Sequence, residues 1–187
     1  MKTRLCLFAY AAIERSTPCQ ARPTSSLVRE ALFNIWQGRI LGARWLDLCA
    51  GSGAMGAEAL SRGAAEVVGI EKSSAACRVI SQNWQKIAKP SQRYSLNKGD
   101  VVQKMRGLTA FDLVYFDPPY AGELYQPVLS RLADCLTDTA EAAVEYGAEH
   151  WHPDCLSKSV HQQLEIVKEK RYGSTSLVFF RRRETTH

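Results

Sequence analysis

The 187-residue chain contains no Cys-x-x-Cys pair, although it has six cysteines. That absence excludes a zinc ribbon and leaves free thiols, which suit a reducing compartment such as the cytoplasm. There are only four histidines. Three potential ligands, His150, His152 and Cys155, lie close together, but their spacing matches no standard metal site, so no metal is expected. No apolar run approaches the length of a bilayer span, which rules out a transmembrane helix by hydropathy and makes a membrane partner unexpected. The outline of a weak secretory signal is present: Met1-Lys-Thr-Arg, then Leu5 to Ile13, with Ala21 as an end. It is set aside because a cytosolic cofactor motif begins soon afterwards. Internal repeats and low-complexity stretches are also missing. The 45% hydrophobic content supplies a full core for one domain.

Charge is unevenly spread. The net charge is +5, divided as +5 over residues 1–44, −4 over 45–167 and +4 over 168–187. Basic ends around an acidic body suit a polyanionic partner such as nucleic acid, or else serve as solubilising tails.

The periodicities describe a short arm followed by strands alternating with helices. Leu27–Trp36 carries apolar residues at helical spacing behind candidate caps at Thr24, Ser25 and Ser26. Strands are expected at Trp45–Cys49, Glu66–Ile70, Tyr94–Asn97, Asp112–Phe116 and Glu141–Tyr146. Helices are expected at Ala54–Arg62, Ser74–Ala88, Val101–Arg106 and Leu124–Cys135. Gln163–Glu169 and Ser174–Phe180 flank Tyr172-Gly173 as an antiparallel hairpin. This order predicts an α/β, Rossmann-like fold: a mostly parallel sheet covered by helices on both faces. The expected division is residues 1–38 as arm and helix and residues 39–187 as the catalytic domain.

Leu46-Asp47-Leu48-Cys49-Ala50-Gly51-Ser52-Gly53-Ala54-Met55-Gly56 joins the first strand to its helix. Glycine is needed where the chain turns sharply and where backbone approaches a ligand. Gly51-x-Gly53-x-x-Gly56 also fits the dinucleotide fingerprint, so NAD competes. Asp47 favours a cationic ligand, S-adenosylmethionine, over a pyrophosphate. Glu71 ends the second strand, where a carboxylate accepts from ribose hydroxyls of either cofactor; Lys72 follows it. Asp100, before Val101, is either an adenine contact or an ordinary helix cap.

The run Leu113-Val114-Tyr115-Phe116-Asp117-Pro118-Pro119-Tyr120 carries the chemistry. An acid, two prolines and an aromatic directly after a buried strand are hard to account for as a chance turn. The prolines end the sheet and remove two donors. An exocyclic base amine is a poor nucleophile because its lone pair is delocalised. Asp117 and the Pro118 carbonyl can accept its two N–H bonds, and Tyr120 can stack on the extruded base. Catalysis would then be positioning and electrostatics.

Asp117-Pro118-Pro119-Tyr120 resembles the [D/N]PP[Y/F] motif of amino-methyltransferases. The ordered set Arg22-Pro23-Thr24, Val28-Arg29-Glu30-Ala31-Leu32-Phe33-Asn34, Leu46 through Gly56, Glu58-Ala59-Leu60-Ser61-Arg62-Gly63 and Lys170-Arg171-Tyr172-Gly173 is similar to the bacterial small-subunit (16S) rRNA guanine-N2-methyltransferase D family. The resemblance implies a seven-stranded methyltransferase fold. It implies S-adenosylmethionine held at Asp47, Ala50, Gly51, Ser52, Gly53, Glu71, Lys72, Asp100, Val101 and Asp117, with amine positioning by Asp117, Pro118 and Tyr120. Arg22, Thr24 and Arg29 match the family's substrate-side motif, their plain alternative being a helix cap with solvated arginines. The implied partner is small-subunit rRNA, free or in assembling subunits, met by a monomer in the cytoplasm. One departure stands out: residues 1–21 contain no glycine, unlike the Gly- and Arg-rich arm usual in the family. Competing readings are a DNA amino-methyltransferase, which needs a recognition region this chain has little length for, an NAD-dependent oxidoreductase, and a non-catalytic RNA-binding remnant.

Overall fold

A computed structural model describes residues 26–119, 123–147 and 149–184. Its elements are α1 (Ser26–Ile35), β1 (Arg44–Leu48), α2 (Ala54–Ser61), β2 (Glu66–Glu71), α3 (Ser74–Ile87), β3 (Arg93–Lys98), α4 (Val101–Lys104), β4 (Phe111–Phe116), α5 (Tyr125–Cys135), β5 (Leu136–Gly147), α6 (Lys158–Gln163), β6 (Leu164–Tyr172) and β7 (Thr175–Arg182). A 3-10 turn at Pro153–Cys155 precedes α6.

The seven strands lie in the order β3-β2-β1-β4-β5-β7-β6. β1 to β5 are parallel, and β7 runs antiparallel between β5 and β6. The chain crosses from β3 at one edge to β4 on the far side of β1, so β1 and β4 flank the switch point, where open α/β sheets bind ligands at the carboxyl ends of their strands.

Alternate strand residues feed two apolar layers. Leu46, Leu48, Val114, Phe116 and Val144 pack under α4, α5 and α6. Trp45, Val67, Leu113, Tyr115, Ala143 and Phe179 pack on the other face with Leu32, Phe33 and Trp36 at α1, Leu60 of α2 and Trp84 of α3. α1 is therefore part of the core; Phe33 stacks on Trp45 with ring centroids 5.3 Å apart. Burial on both faces explains why the central strands read as nearly continuous apolar runs, with Asp47 the buried exception in β1.

β6 runs three residues past the expected Glu169, to Tyr172, and β7 two past Phe180, to Arg182; two other elements differ more. β5 begins at Leu136, directly after α5, because Leu136 pairs with Phe111 before the register shifts to Leu113↔Glu141. The exposed Asp138 and Thr139 mask that start. The short helix α6 was not expected, since only Val160 is buried on it and no apolar period forms.

Candidate active site

β1 and β4 pair in register, Asp47 opposite Tyr115 and Leu48 opposite Phe116. The glycine loop and the Asp117-Pro118-Pro119 segment therefore leave the sheet side by side. Their carboxylates converge. The half-buried Cys49 thiol has its pKa raised first by burial, then by the charges of Glu71, Asp117, Asp47 and Asp100 in that order. Four acids drawn from β1, β2, the β3–α4 turn and β4 bear on one point. Such a concentration of negative charge fits a cationic occupant and opposes a pyrophosphate.

The loop's three glycines have different tasks. Gly51 has φ +56°, and among the described residues a side chain there would meet only the Cys49 carbonyl oxygen, at 3.9 Å, an ordinary contact. A Cβ on Gly53 would lie 2.8 Å from Ile80, and one on Gly56 would lie 2.3 Å from Trp84. Gly69 of β2 is held to glycine by the same indole, at 2.6 Å. The Trp84 Nε1 donates to the Gly53 carbonyl at 2.9 Å. Gly53 and Gly56 thus serve the seating of α3 against the loop, a packing demand the motif alone does not reveal. Cys49, beside them, adopts φ +63° without being glycine, a costly conformation of the kind that clusters at ligand sites.

Asp47 is buried and its Oδ2 accepts from the Gly56 N–H at 3.1 Å. It supplies the capping oxygen that Gly53, the N-cap of α2, lacks. Burial pushes the Asp47 carboxyl up to about 7, opposed by the Gly56 hydrogen bond and assisted by Glu71. A buried carboxylate in that state favours a cation beside it. Glu71 accepts from Gly51 N at 2.8 Å through Oε2 and from Ser73 N at 2.7 Å through Oε1. It ties the ends of β1 and β2 together while each oxygen keeps a second lone pair.

The remaining candidates are placed as follows. Asp100 caps α4, its Oδ1 accepting from Gln103 N at 3.0 Å, and Val101 is buried behind it. Ala50 is buried with its N–H bonded to Ile70, Ser52 is half-buried, and Lys72 is exposed. Pro118 is buried and Asp117 half-buried. Arg29 sits half-buried on α1. Arg22, Thr24 and Tyr120 lie outside the described residues. Among the described residues no group of three or more His, Cys, Asp or Glu could hold a metal ion; His152 instead caps the 3-10 turn, accepting from Asp154 N.

One pair beside the site is missing from the sequence reading. Tyr115 donates to Glu145 at 2.5 Å, and the Tyr125 hydroxyl donates to the Glu145 carbonyl at 3.1 Å. Val144 pairs with Phe116, so buried Glu145 stands level with Asp117 on the next strand. The available signal was an acid at the end of an otherwise apolar run, Ala142-Ala143-Val144-Glu145.

Comparison with known proteins agrees with this geometry. Residues 12–181 match the model of the family described as Conserved hypothetical protein 95. Ribosomal RNA small subunit methyltransferase D of Escherichia coli strain K12 is 32% identical over 163 residues, covering 86% of this chain and 79% of that protein. The solved structure of yhhF from Escherichia coli superposes with a TM-score of 0.75 at 29% identity, covering 90% of this chain and 92% of that one. SMU.776, solved with S-adenosylhomocysteine (SAH), shares the fold at 14% identity, with a TM-score of 0.67 over 83% of this chain and 48% of that one. The architecture is that of the S-adenosylmethionine-dependent methyltransferases, and the chain belongs to the ribosomal RNA small subunit methyltransferase D family.

Proposed function

We propose that this protein transfers a methyl group from S-adenosylmethionine to the exocyclic N2 amine of a guanine in small-subunit (16S) rRNA. The observation that carries the reading is that Asp47, Glu71, Asp100 and Asp117 all bear on Cys49, beside the positive-φ Gly51 turn and the Pro118-Pro119 segment. In this reading Asp47 answers the cationic end of the cofactor, Glu71 its ribose, and Asp100 its adenine. Gly51 and Ser52 bring backbone close, with Ala50, Gly53, Lys72 and Val101 around them. When bound, S-adenosylmethionine supplies an electrophilic methyl group on a sulfonium, whose sulfur keeps the bonding pair as the new N–C bond forms.

Asp117 and the Pro118 carbonyl each accept one N–H of the guanine amine, turning its lone pair toward the methyl carbon. Asp117, accepting from the amine, is also the base that takes the proton the amine sheds. Tyr120 stacks on the extruded base, and Arg22, Thr24 and Arg29 contact the substrate side. Among the described residues the thiols of Cys49, Cys77, Cys135 and Cys155 are free, which suits action in the cytoplasm. Among the described residues no helix is long and apolar enough to cross a membrane.

The test is incubation with methyl-labelled S-adenosylmethionine and naked 16S rRNA, assembled small subunits or duplex DNA, followed by digestion to nucleosides. Label in N2-methylguanosine from either rRNA substrate is the expected result. Label only in DNA, or in another base, overturns the proposal.

A further inference from the structure

Lys170-Arg171-Tyr172-Gly173 has no part in the cofactor or amine site, yet the sheet places it at the same end. Phe116 pairs with Val144, Val144 with Val178, and Val178 with Glu169. Lys170 and Arg171 therefore stand one and two positions past that row, as Asp117 and Pro118 do on β4. Three strand-to-strand steps separate β4 from β6, about 14 Å at roughly 4.8 Å per step.

The hairpin is anchored, but its cations Lys168, Lys170 and Arg171 form no ion pair among the described residues. Tyr172 packs against the α1–α3 layer, and Lys168 lies over the Phe179 ring of that layer at 5.8 Å. Lys168, Lys170 and Arg171 are exposed. Among the described residues, ion pairs engage Arg39, Arg44, Arg62, Arg93, Arg181 and Arg182, and none reaches these three. Arg171 Nε donates to the Gly173 carbonyl at 3.0 Å, which fixes the guanidinium at the turn and leaves its other N–H groups without a partner among the described residues. Exposed cations at the end of β6, with no ion pair among the described residues, at the catalytic end of an otherwise acidic body match a polyanionic strand passing over that end.

We propose that the β6–β7 hairpin, through Lys170 and Arg171, grips the phosphate backbone of the RNA that flanks the target base. This rests on the proposed rRNA substrate and adds the surface that holds it. The experiment uses the full chain and compares Lys170→Ala/Arg171→Ala with Arg182→Ala/Arg183→Ala, two cations removed at each end of the sheet. Binding to 16S rRNA is measured between about 50 and 200 mM salt, and KM and kcat are measured alongside cofactor affinity.

The hairpin variant is expected to flatten the slope of log K against log salt by about 1.5, because two phosphates are no longer neutralised. It should also raise KM with kcat and cofactor affinity little changed. Lys170→Ala alone should give about half the slope change. The far-end variant should keep the wild-type slope. An unchanged slope for the hairpin variant, or an equal flattening by the far-end variant, overturns the inference while wild-type methylation of rRNA persists. A wild type that methylates no rRNA overturns the underlying reading instead, so the two failures are told apart.

Discussion

The two ends of the sheet treat charge in opposite ways. At the carboxyl end of the parallel strands, Asp47, Glu71, Asp100 and Asp117 bear on one thiol and raise its pKa. At the amino end, Glu141 is buried but saturated: Trp36 Nε1 donates to it at 2.6 Å, Arg181 forks onto it at 3.1 and 2.9 Å, and Arg39 lies 3.2 Å away. Arg182 faces Asp138 at 3.9 Å and Arg183 donates to the His161 carbonyl. A charge cluster balanced by its own fold holds structure together. One that gathers like charge from the ends of several strands has affinity to offer a cationic ligand.

The sharpest way to break this contrast is at Asp117. Asp117→Ala should lower turnover by about 10²–10³-fold, the scale of removing one preorganised contact to a reacting group, while cofactor affinity stays near wild type because the lost interaction belongs to the amine. Asp117→Asn keeps an acceptor oxygen, so partial activity would assign the residue to orientation and no activity to its charge. Steady-state kinetics on protein shown to be folded decides between them.

A smaller effect follows from Asp47. Its folded-state value of about 7 lies above the ordinary 3.8, so its protonated form stabilises the fold at low pH, and that contribution is lost as pH rises from about 4 toward 7. A bound cation favours the ionised form. Below pH 7, cofactor binding must then release a proton, and affinity should fall as pH is lowered, by up to about tenfold per unit. Calorimetry between about pH 5.5 and 8.5 should show this slope for wild type and a flatter, weaker curve for Asp47→Asn. A wild-type affinity independent of pH would remove the cation assignment from Asp47.

The sequence made the end at which the site lies legible, because strand-ending acids, a glycine turn and a double proline are local signals. β1, β2 and β4 with the helices after them were legible for the same reason. What stayed hidden depends on contacts distant in the chain. Gly53 and Gly56 answer to Trp84, about thirty residues away, although a fingerprint reading gives them wholly to the cofactor. Glu145 matters through Tyr115 on a neighbouring strand. The basic segment 168–187 reads as one patch, but β6 and β7 are antiparallel, so Lys170 and Arg171 go to the catalytic end and Arg181–Arg183 to the other. Composition cannot show that division; strand direction can.

The most direct measurement is cofactor affinity and thermal stability on a matched pair, Glu71→Ala at one end and Arg181→Ala at the other. If the carboxyl end alone binds, Glu71→Ala weakens S-adenosylmethionine by about 10- to 150-fold, the loss of a hydrogen bond to a charged group. Arg181→Ala then leaves affinity unchanged and lowers stability by about 1 kcal/mol, the half-exposed guanidinium being partly screened. A folded Glu71→Ala that binds as tightly as wild type, or an Arg181→Ala that loses cofactor affinity while folded, would contradict the division of labour between the two ends.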